Sequence, residues 1–284
     1  MNPLKEDSTV EIAQVTAADG VNLSVRWDRV ADPIAHVVVA HGFAEYTRRQ
    51  VNLAEALVSA GMSVLRYDMR GHGHSGGRRG HVERFDDYVD DLCDMVERAR
   101  TPDVPLYVVG HSQGGLITTR AMMQGRLRAD AVVLSNPALQ QAFKVPGWKL
   151  AAAKVLSRGL PKVALPTGLN ADQLSTNSEA NADYAADPLI FGSGTTRWGW
   201  EYICAQADVA AGVLRPPCPV LVSLGLSDPI IDAAYTRSWL DKAQESSITV
   251  LTYPKLMHEL FNEPKADRDH VLAELSDWLV AQTN

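Results

Sequence analysis

Pro105-Leu106-Tyr107-Val108-Val109-Gly110-His111-Ser112-Gln113-Gly114-Gly115 decides how the rest of the chain is read. Residues 105–109 form a short apolar run without alternation, the pattern of a strand buried on both faces of a parallel sheet. A helical pattern over 113–125 begins at once. Strand, tight turn and helix around G-x-S-x-G is the setting that presents a serine as a nucleophile. Reversing direction in so few residues forces Ser112 into a strained backbone conformation, and glycines on either side remove Cβ clashes. The hydroxyl is then held above a helix N-terminus, whose free N–H groups favour developing negative charge.

Working outward, similar runs occupy 36–40, 62–67 and 130–134, with helical patterns at about 49–60 and 84–100 between them. Alternating segments at 9–16 and 21–28, joined by Asp19-Gly20, predict an N-terminal hairpin. After Asn136-Pro137 the rhythm breaks, and strand character returns only at 219–224 and 248–253, before a final helix over 267–282. The intervening stretch holds helix-prone pieces at 147–158 and 197–212, and is too long for a loop in a compact domain. This predicts an α/β fold: a mostly parallel central sheet with helices on both faces and a helical cap insertion over its C-terminal edge. The boundaries are 1–137 and 216–284 for the core and 138–215 for the cap. No internal repeat or low-complexity tract is present.

A serine needs a base, and the base needs a third group to orient it. Around an elbow of this kind the partners follow in the order serine, acid, histidine. Strand 219–224 runs into Gly225-Leu226-Ser227-Asp228-Pro229, and strand 248–253 is followed by Pro254-Lys255-Leu256-Met257-His258-Glu259. Asp228 and His258 therefore fall beyond strand ends on the same edge as Ser112, and the three are the candidate catalytic residues. An Asx turn before Pro229 and a capping or surface histidine are the competing readings. Asp232 is explained by N-capping of the next helix, and Glu259 and Glu263 as surface or supporting groups. The oxyanion donors expected are the N–H groups of Gln113 and of Phe43, in His41-Gly42-Phe43-Ala44-Glu45. His41 is read as structural. His72 and His74 lack a third ligand at supporting spacing, so no metal is predicted and a hydrogen-bonded loop is expected instead. Asp86, Asp87, Asp90, Asp91 and Asp94 read as a solvated helix face. Trp148, Leu189, Phe191 and Trp198 are candidates for an acyl pocket; together with Leu150 and Trp200 they equally suit a small core of the cap itself.

The 284 residues carry 27 basic and 34 acidic side chains, a formal charge of -7. That balance leaves no electrostatic footprint for nucleic acid. The three cysteines (Cys93, Cys204, Cys218) form no CxxC or Cys/His cluster, so they read as reduced, mostly buried thiols. No apolar h-region follows Met1, and no apolar stretch reaches the ~20 residues that span a bilayer. A cytoplasmic protein without an integral membrane segment is expected, with transient contact at a lipid interface left open. The oligomeric state is not legible.

Taken together, His41-Gly42-Phe43-Ala44-Glu45-Tyr46, Tyr67-Asp68-Met69-Arg70-Gly71-His72-Gly73-His74-Ser75-Gly76-Gly77, the elbow, Ser227-Asp228-Pro229 and His258-Glu259-Leu260-Phe261-Asn262-Glu263-Pro264 resemble the monoacylglycerol lipase and lysophospholipase group of the α/β-hydrolase fold. Residues 70–81 followed by Phe85-Asp86-Asp87-Tyr88 are more specific to that group than the elbow alone. The resemblance covers 36–284 apart from the cap, which matches loosely at Ala186-Asp187-Pro188-Leu189. It implies a cofactor-free hydrolase of single-chain acyl esters, acting on a small, amphiphilic substrate beneath a cap that shapes an apolar tunnel. Gln113 stands where the group usually has methionine, and Ala44 where it usually has glycine. Both positions lie at the expected oxyanion hole, and chain-length preference stays open. Dehalogenases and epoxide hydrolases of the fold need an aspartate nucleophile, and Ser112 argues against them. An aminopeptidase or amidase, with Glu179, Asp183 and Glu201 receiving a substrate amine, remains an alternative. So do a broad short-chain carboxylesterase and a non-catalytic ligand-binding member.

Overall fold

The computed structural model describes residues 8–143, 147–243 and 245–283. The chain opens with the expected hairpin, β1 (Ser8–Thr16) and β2 (Asn22–Val30), paired antiparallel. Gly20 turns it with φ 88°, a conformation that glycine adopts without strain. There follow β3 (Ala35–Ala40), α1 (Val51–Ser59), β4 (Met62–Tyr67), α2 (Asp86–Ala99), β5 (Leu106–His111), α3 (Gln113–Met123) and β6 (Ala131–Ser135). An insert contributes α4 (Gly147–Gly159), β7 (Ala164–Pro166), α5 (Ser178–Ala186), β8 (Ser193–Thr195) and α6 (Thr196–Ala211). The core resumes with β9 (Val220–Gly225), α7 (Ala233–Asp241), β10 (Ile248–Tyr253) and α8 (Lys265–Val280).

Among the described residues, the eight strands outside the insert make one sheet in the order β1-β2-β4-β3-β5-β6-β9-β10. Only β2 runs against its neighbours; from β4 to β10 every pairing is parallel. Every residue of β3, β4, β5, β6 and β9 is buried. This is why their sequences do not alternate: both faces are covered by helices. Val38, Leu65, Val108, Val132 and Val222 pack on the side of Leu92, Met95, Leu116 and Ile117 from α2 and α3. Val37, Val39, Val64, Val109 and Leu221 pack on the opposite side with Leu53 and Leu57 of α1 and Leu275 of α8. Each such fully buried side chain is worth about 1.5–3 kcal/mol against leaving it in water. Parallel strands bring their C-terminal ends to one edge, so the loops after β3, β5, β6, β9 and β10 share a single rim.

Three expectations need correction. The insert holds more structure than its sequence pattern predicts: α5 and the antiparallel pair β7–β8. Those strands are three residues each, Ala164-Leu165-Pro166 and Ser193-Gly194-Thr195, too short and too polar to make an apolar run. The cysteines are half-buried rather than buried, and unpaired. Of the acidic run on α2, Asp87 and Asp91 are buried, not solvated. Arg70 makes that possible for Asp91, its Nε and Nη2 donating to the two oxygens at 2.7 Å each, while Asp87 accepts from Arg84 Nε at 2.9 Å. The bidentate guanidinium offsets part of the cost of burying this carboxylate, and burial still holds the Asp91 pKa up at about 6.

Candidate active site

Ser112 closes β5 and N-caps α3 with φ 51° and ψ −116°. The glycines around it answer to space rather than to dihedral freedom. A Cβ on Gly114 would lie 2.1 Å from the Ala40 carbonyl oxygen, one on Gly110 2.7 Å from the Gly114 oxygen, and one on Gly115 2.8 Å from Pro137 Cα. The elbow is thus wedged against β3 and against Pro137, just past the end of β6. Its backbone is fixed by Ser112 N–H donating to Ser135 O (3.0 Å), and by Ser112 O accepting from Ala138 N–H (2.9 Å) and Leu116 N–H (3.1 Å).

His258 Nε2 lies 2.9 Å from Ser112 Oγ, and His258 Nδ1 lies 2.6 Å from Asp228 Oδ2. A carboxylate only accepts, so Nδ1 carries the proton and Nε2 is left to accept from the serine hydroxyl. Asp228 uses its other oxygen to accept from Ile230 N–H (2.7 Å) and Ile231 N–H (3.1 Å). The two readings of this residue therefore coexist, since the Asx turn is what aims the carboxylate. Asp232, by contrast, caps α7 through Tyr235 N–H at 2.8 Å. Burial pulls the His258 imidazole down, but the charge of Asp228 and its hydrogen bond prevail, and the pKa rests above the ordinary histidine value. His111, whose ring lies 4.9 Å from that of His258, is pushed well below it by burial and by the neighbouring imidazole.

Asn136, which sequence reasoning passed over, ties the loops together. It is fully buried with φ 40°. Its amide donates to Met257 O (2.9 Å) and His258 O (2.8 Å), while its carbonyl accepts from Gly225 N–H (2.8 Å). The His258 loop is held from its other side by Glu263, which accepts from Met257 N–H (2.6 Å), Ser175 Oγ (2.8 Å) and Thr176 Oγ1 (2.6 Å). Of the two readings of Glu259 and Glu263 the supporting one fits: both are buried, and Glu259 pairs with Arg49. The only sequence hint of Asn136 was its position where the strand rhythm stops.

The loop after β3 presses on the nucleophile: a Cβ on Gly42 would lie 3.2 Å from that of Ser112. Glu45 folds back, so that Gly42 N–H and Gln50 Nε2 both donate to its carboxyl group. Burial, reinforced by the charge of Glu259, pushes the Glu45 carboxyl up to about 8. His41 accepts from Met69 N–H at 2.9 Å through Nε2, locking its loop to the turn after β4. Among the described residues, neither Phe43 N–H nor Gln113 N–H is given to a protein acceptor.

Ser112, His258, Phe43 and Gln113 line one cavity of about 200 Å3. Its walls are largely apolar (Phe143, Leu169, Leu174, Tyr202, Ile203, Ile230), with a polar cluster of Glu45, His111, Tyr184 and Glu259. Of the insert candidates only Trp198 lines it. Trp148 is 70% exposed and borders a second cavity. Phe191 packs edge-on to Phe43 and beside His72, and half-buried Leu189 hydrogen-bonds through its N–H to Asp187. Glu179, Asp183 and Glu201 do not line the cavity; Glu201 accepts from Phe85 N–H at 3.1 Å. His72 and His74 belong to a loop organised by Asp68, which accepts from Thr47 N–H and His74 N–H at 2.9 and 2.8 Å. Among the described residues no group of three His, Cys, Asp or Glu is spaced to hold a metal ion.

The family model described as "Serine aminopeptidase, S33" (Hydrolase_4) matches residues 31–265. A monoacylglycerol lipase of Mycolicibacterium smegmatis is 34% identical over 263 residues, covering 90% of this chain and 91% of that one. Phospholipase YtpA of Bacillus subtilis is 29% identical, covering 85% and 94%. The crystal structure of the Paleococcus ferrophilus monoacylglycerol lipase superposes with a TM-score of 0.80 at 27% identity, covering 96% of this chain and 99% of the other. With its parallel sheet, its elbow and this likeness over nearly its whole length, the chain belongs to the monoacylglycerol lipase family of α/β-hydrolases, a family of carboxylic ester hydrolases.

Proposed function

We propose that the chain hydrolyses esters of single-chain acyl groups, monoacylglycerol-like or lysophospholipid-like, through an acyl-enzyme formed on Ser112. The observation that carries this reading is the unbroken chain Asp228–His258–Ser112, at 2.6 and 2.9 Å, opening on a mostly apolar cavity. Ser112 Oγ attacks the ester carbonyl while His258 Nε2 takes its proton, and Asp228 stabilises the imidazolium. The N–H groups of Phe43 and Gln113 receive the oxyanion, a contribution of about 3–4 kcal/mol for a well-aimed donor. As the tetrahedral intermediate collapses, the C–O bond breaks and His258 returns the proton to the leaving alcohol. Water repeats the sequence on the acyl-enzyme, which releases the acid and restores the Ser112 hydroxyl.

The polar cluster favours an alcohol over an amine. Glu259 is neutralised by Arg49, and Glu45 holds its proton to about pH 8, so neither offers a free negative charge at neutral pH. Glu179, Asp183 and Glu201, the acids that would receive a substrate amine, stand off the cavity. Residues 138–215 act in this reading as a cap, since the insert supplies Leu169, Tyr184 and Trp198 to the cavity wall. Val155, Leu160 and Leu165 are 70%, 53% and 48% exposed on that insert, beside exposed Lys154, Arg158 and Lys162, which supports transient contact with a lipid interface and an amphiphilic substrate. Among the described residues no helix is long and apolar enough to cross a membrane. The unpaired cysteines support a cytoplasmic location, which fractionation of the source cells tests.

Replacing Ser112 with alanine tests the core of the reading. Hydrolysis of short p-nitrophenyl esters and labelling by a fluorophosphonate are both expected to vanish; full retention of both refutes the assignment. Comparing a monoacylglycerol with an aminoacyl anilide tests the substrate, and dominance of the anilide overturns the ester reading.

A further inference from the structure

Two cavities share a wall of four residues. The cavity at Ser112 holds about 200 Å3, and a second of about 450 Å3 lies within the insert, among Leu156, Leu165 and several small residues. Thr167, Trp198, Gly199 and Ile203 line both, and the Trp198 indole is the largest of the groups between them. The indole stacks on Phe43, with ring centres 3.9 Å apart and planes at 24°, and on Tyr202 at 5.2 Å. Behind it, a Cβ on Gly194 would lie 2.3 Å from the ring, so the insert backbone closes on that side. One polar contact sets the ring's rotation in this stack: Trp198 Nε1–H donates to Gln113 Oε1 at 3.0 Å. Gln113 is 1% exposed, and its amide points to Met69 Sδ at 4.0 Å, a weak partner.

We propose that Gln113 is a positioning residue that sets acyl-chain specificity through Trp198, holding the indole across the junction so that the acyl group is confined to the smaller cavity. The enzyme then selects short acyl esters. This rests on the acyl-ester reading above. A methionine at 113 has no oxygen to accept the indole N–H, so the ring is released from the junction and the two cavities merge into one longer channel.

Monoacylglycerols from butyryl to palmitoyl, offered to the wild type, Gln113→Met, Trp198→Phe and Trp198→Ala, test this. The wild type is expected to favour the short esters. The ratio of kcat/KM for palmitoyl over butyryl is expected to rise about tenfold or more in Gln113→Met and Trp198→Ala. Trp198→Phe keeps a ring in the stack but loses the N–H, so it is expected to follow Gln113→Met, and these two variants carry the test if Trp198→Ala does not fold. A merely structural role for Gln113 lowers turnover at every chain length alike, and that uniform loss overturns the proposal. So does a wild type that prefers palmitoyl esters, which leaves the ester reading intact. A wild type that hydrolyses no ester of the series removes the ester reading and this proposal with it.

Discussion

Replacing Asn136 with alanine is expected to damage both stability and turnover, by amounts that follow from its contacts. The substitution deletes three buried hydrogen bonds, to Met257 O, His258 O and Gly225 N–H. At about 1 kcal/mol each for a typical net contribution, that is about 3 kcal/mol, and the unpaired buried groups left behind push the figure upward. Alanine must also adopt φ 40°, which adds about 1 kcal/mol or more of left-handed strain. The expected loss is about 4 kcal/mol, a large share of the ~5–15 kcal/mol by which a domain is stable. The same bonds hold the backbone of His258, so freeing its loop lets Nε2 drift from Ser112 Oγ. A displacement near 1 Å costs about a hundredfold in rate. Urea denaturation measures the first quantity and kcat on a short p-nitrophenyl ester the second. Asn136→Gly separates the causes, since it keeps the backbone conformation free of strain and loses only the bonds. If Asn136→Ala loses less than about 1 kcal/mol and keeps kcat within about twofold, the clamp is not what positions the base.

The acid limb of kcat/KM is expected to have its midpoint above 6.5, because His258 must be neutral to accept the Ser112 proton and its pKa is raised; Asp228→Asn should move that limb downward and cut kcat by about ten-thousandfold, which a pH–rate profile checks. Between about pH 4.5 and 8 folded Glu45 keeps a proton that the unfolded chain has released, so stability should fall as pH rises through this window, at up to about 1.4 kcal/mol per pH unit. Thermal unfolding of Glu45→Gln across pH 5–9 should show that slope flattened, and an unchanged slope refutes the assignment. Gly114→Ala should cost about 3 kcal/mol or more, because its Cβ would stand 2.1 Å from a strand carbonyl that cannot move aside; near-native denaturation refutes the wedged elbow.

What the sequence revealed and what it concealed divide along the range of the interactions involved. The core strands were legible because burial on both faces writes itself into consecutive residues, as in Val37-Val38-Val39 and Tyr107-Val108-Val109. The nearness of Ser112, Asp228 and His258 followed from parallel strands alone, since all three sit just past strand ends. Asn136 stayed hidden because its partners lie 89 to 122 residues away and no local pattern announces them. Glu259 and Glu263 read in sequence as either surface or supporting groups, and what decides between them, Arg49 and the Ser175-Thr176 turn, comes from distant segments. In the insert, Trp148 and Trp198 are the same residue type on helices of the same insert; their fates differ because only α6 leans over the elbow, where Gln113 offers an acceptor.

The strain in this fold is distributed in a way that bears on how the site is kept rigid. Among the described residues, five non-glycines have φ in the left-handed region: Asp32, Ala44, Asp103, Ser112 and Asn136. The two aspartates are exposed, in conformations their side chains tolerate. The other three are buried, and all adjoin the reaction centre. At about 1–2 kcal/mol each they store a few kcal/mol, which the surroundings must hold in place. Ser112 is held by its backbone bonds to Ser135, Leu116 and Ala138, and Asn136 by its own side chain. Ala44 has only a methyl group, so its conformation must be imposed by its neighbours. The nearest device is Glu45, whose carboxyl receives Gly42 N–H and so closes the turn around residues 43 and 44. The turn that carries the Phe43 N–H is thus closed by a buried acid. That acid keeps its proton to about pH 8, so in the proposed mechanism the closure brings no uncompensated charge beside the carbonyl that the Phe43 N–H would polarise.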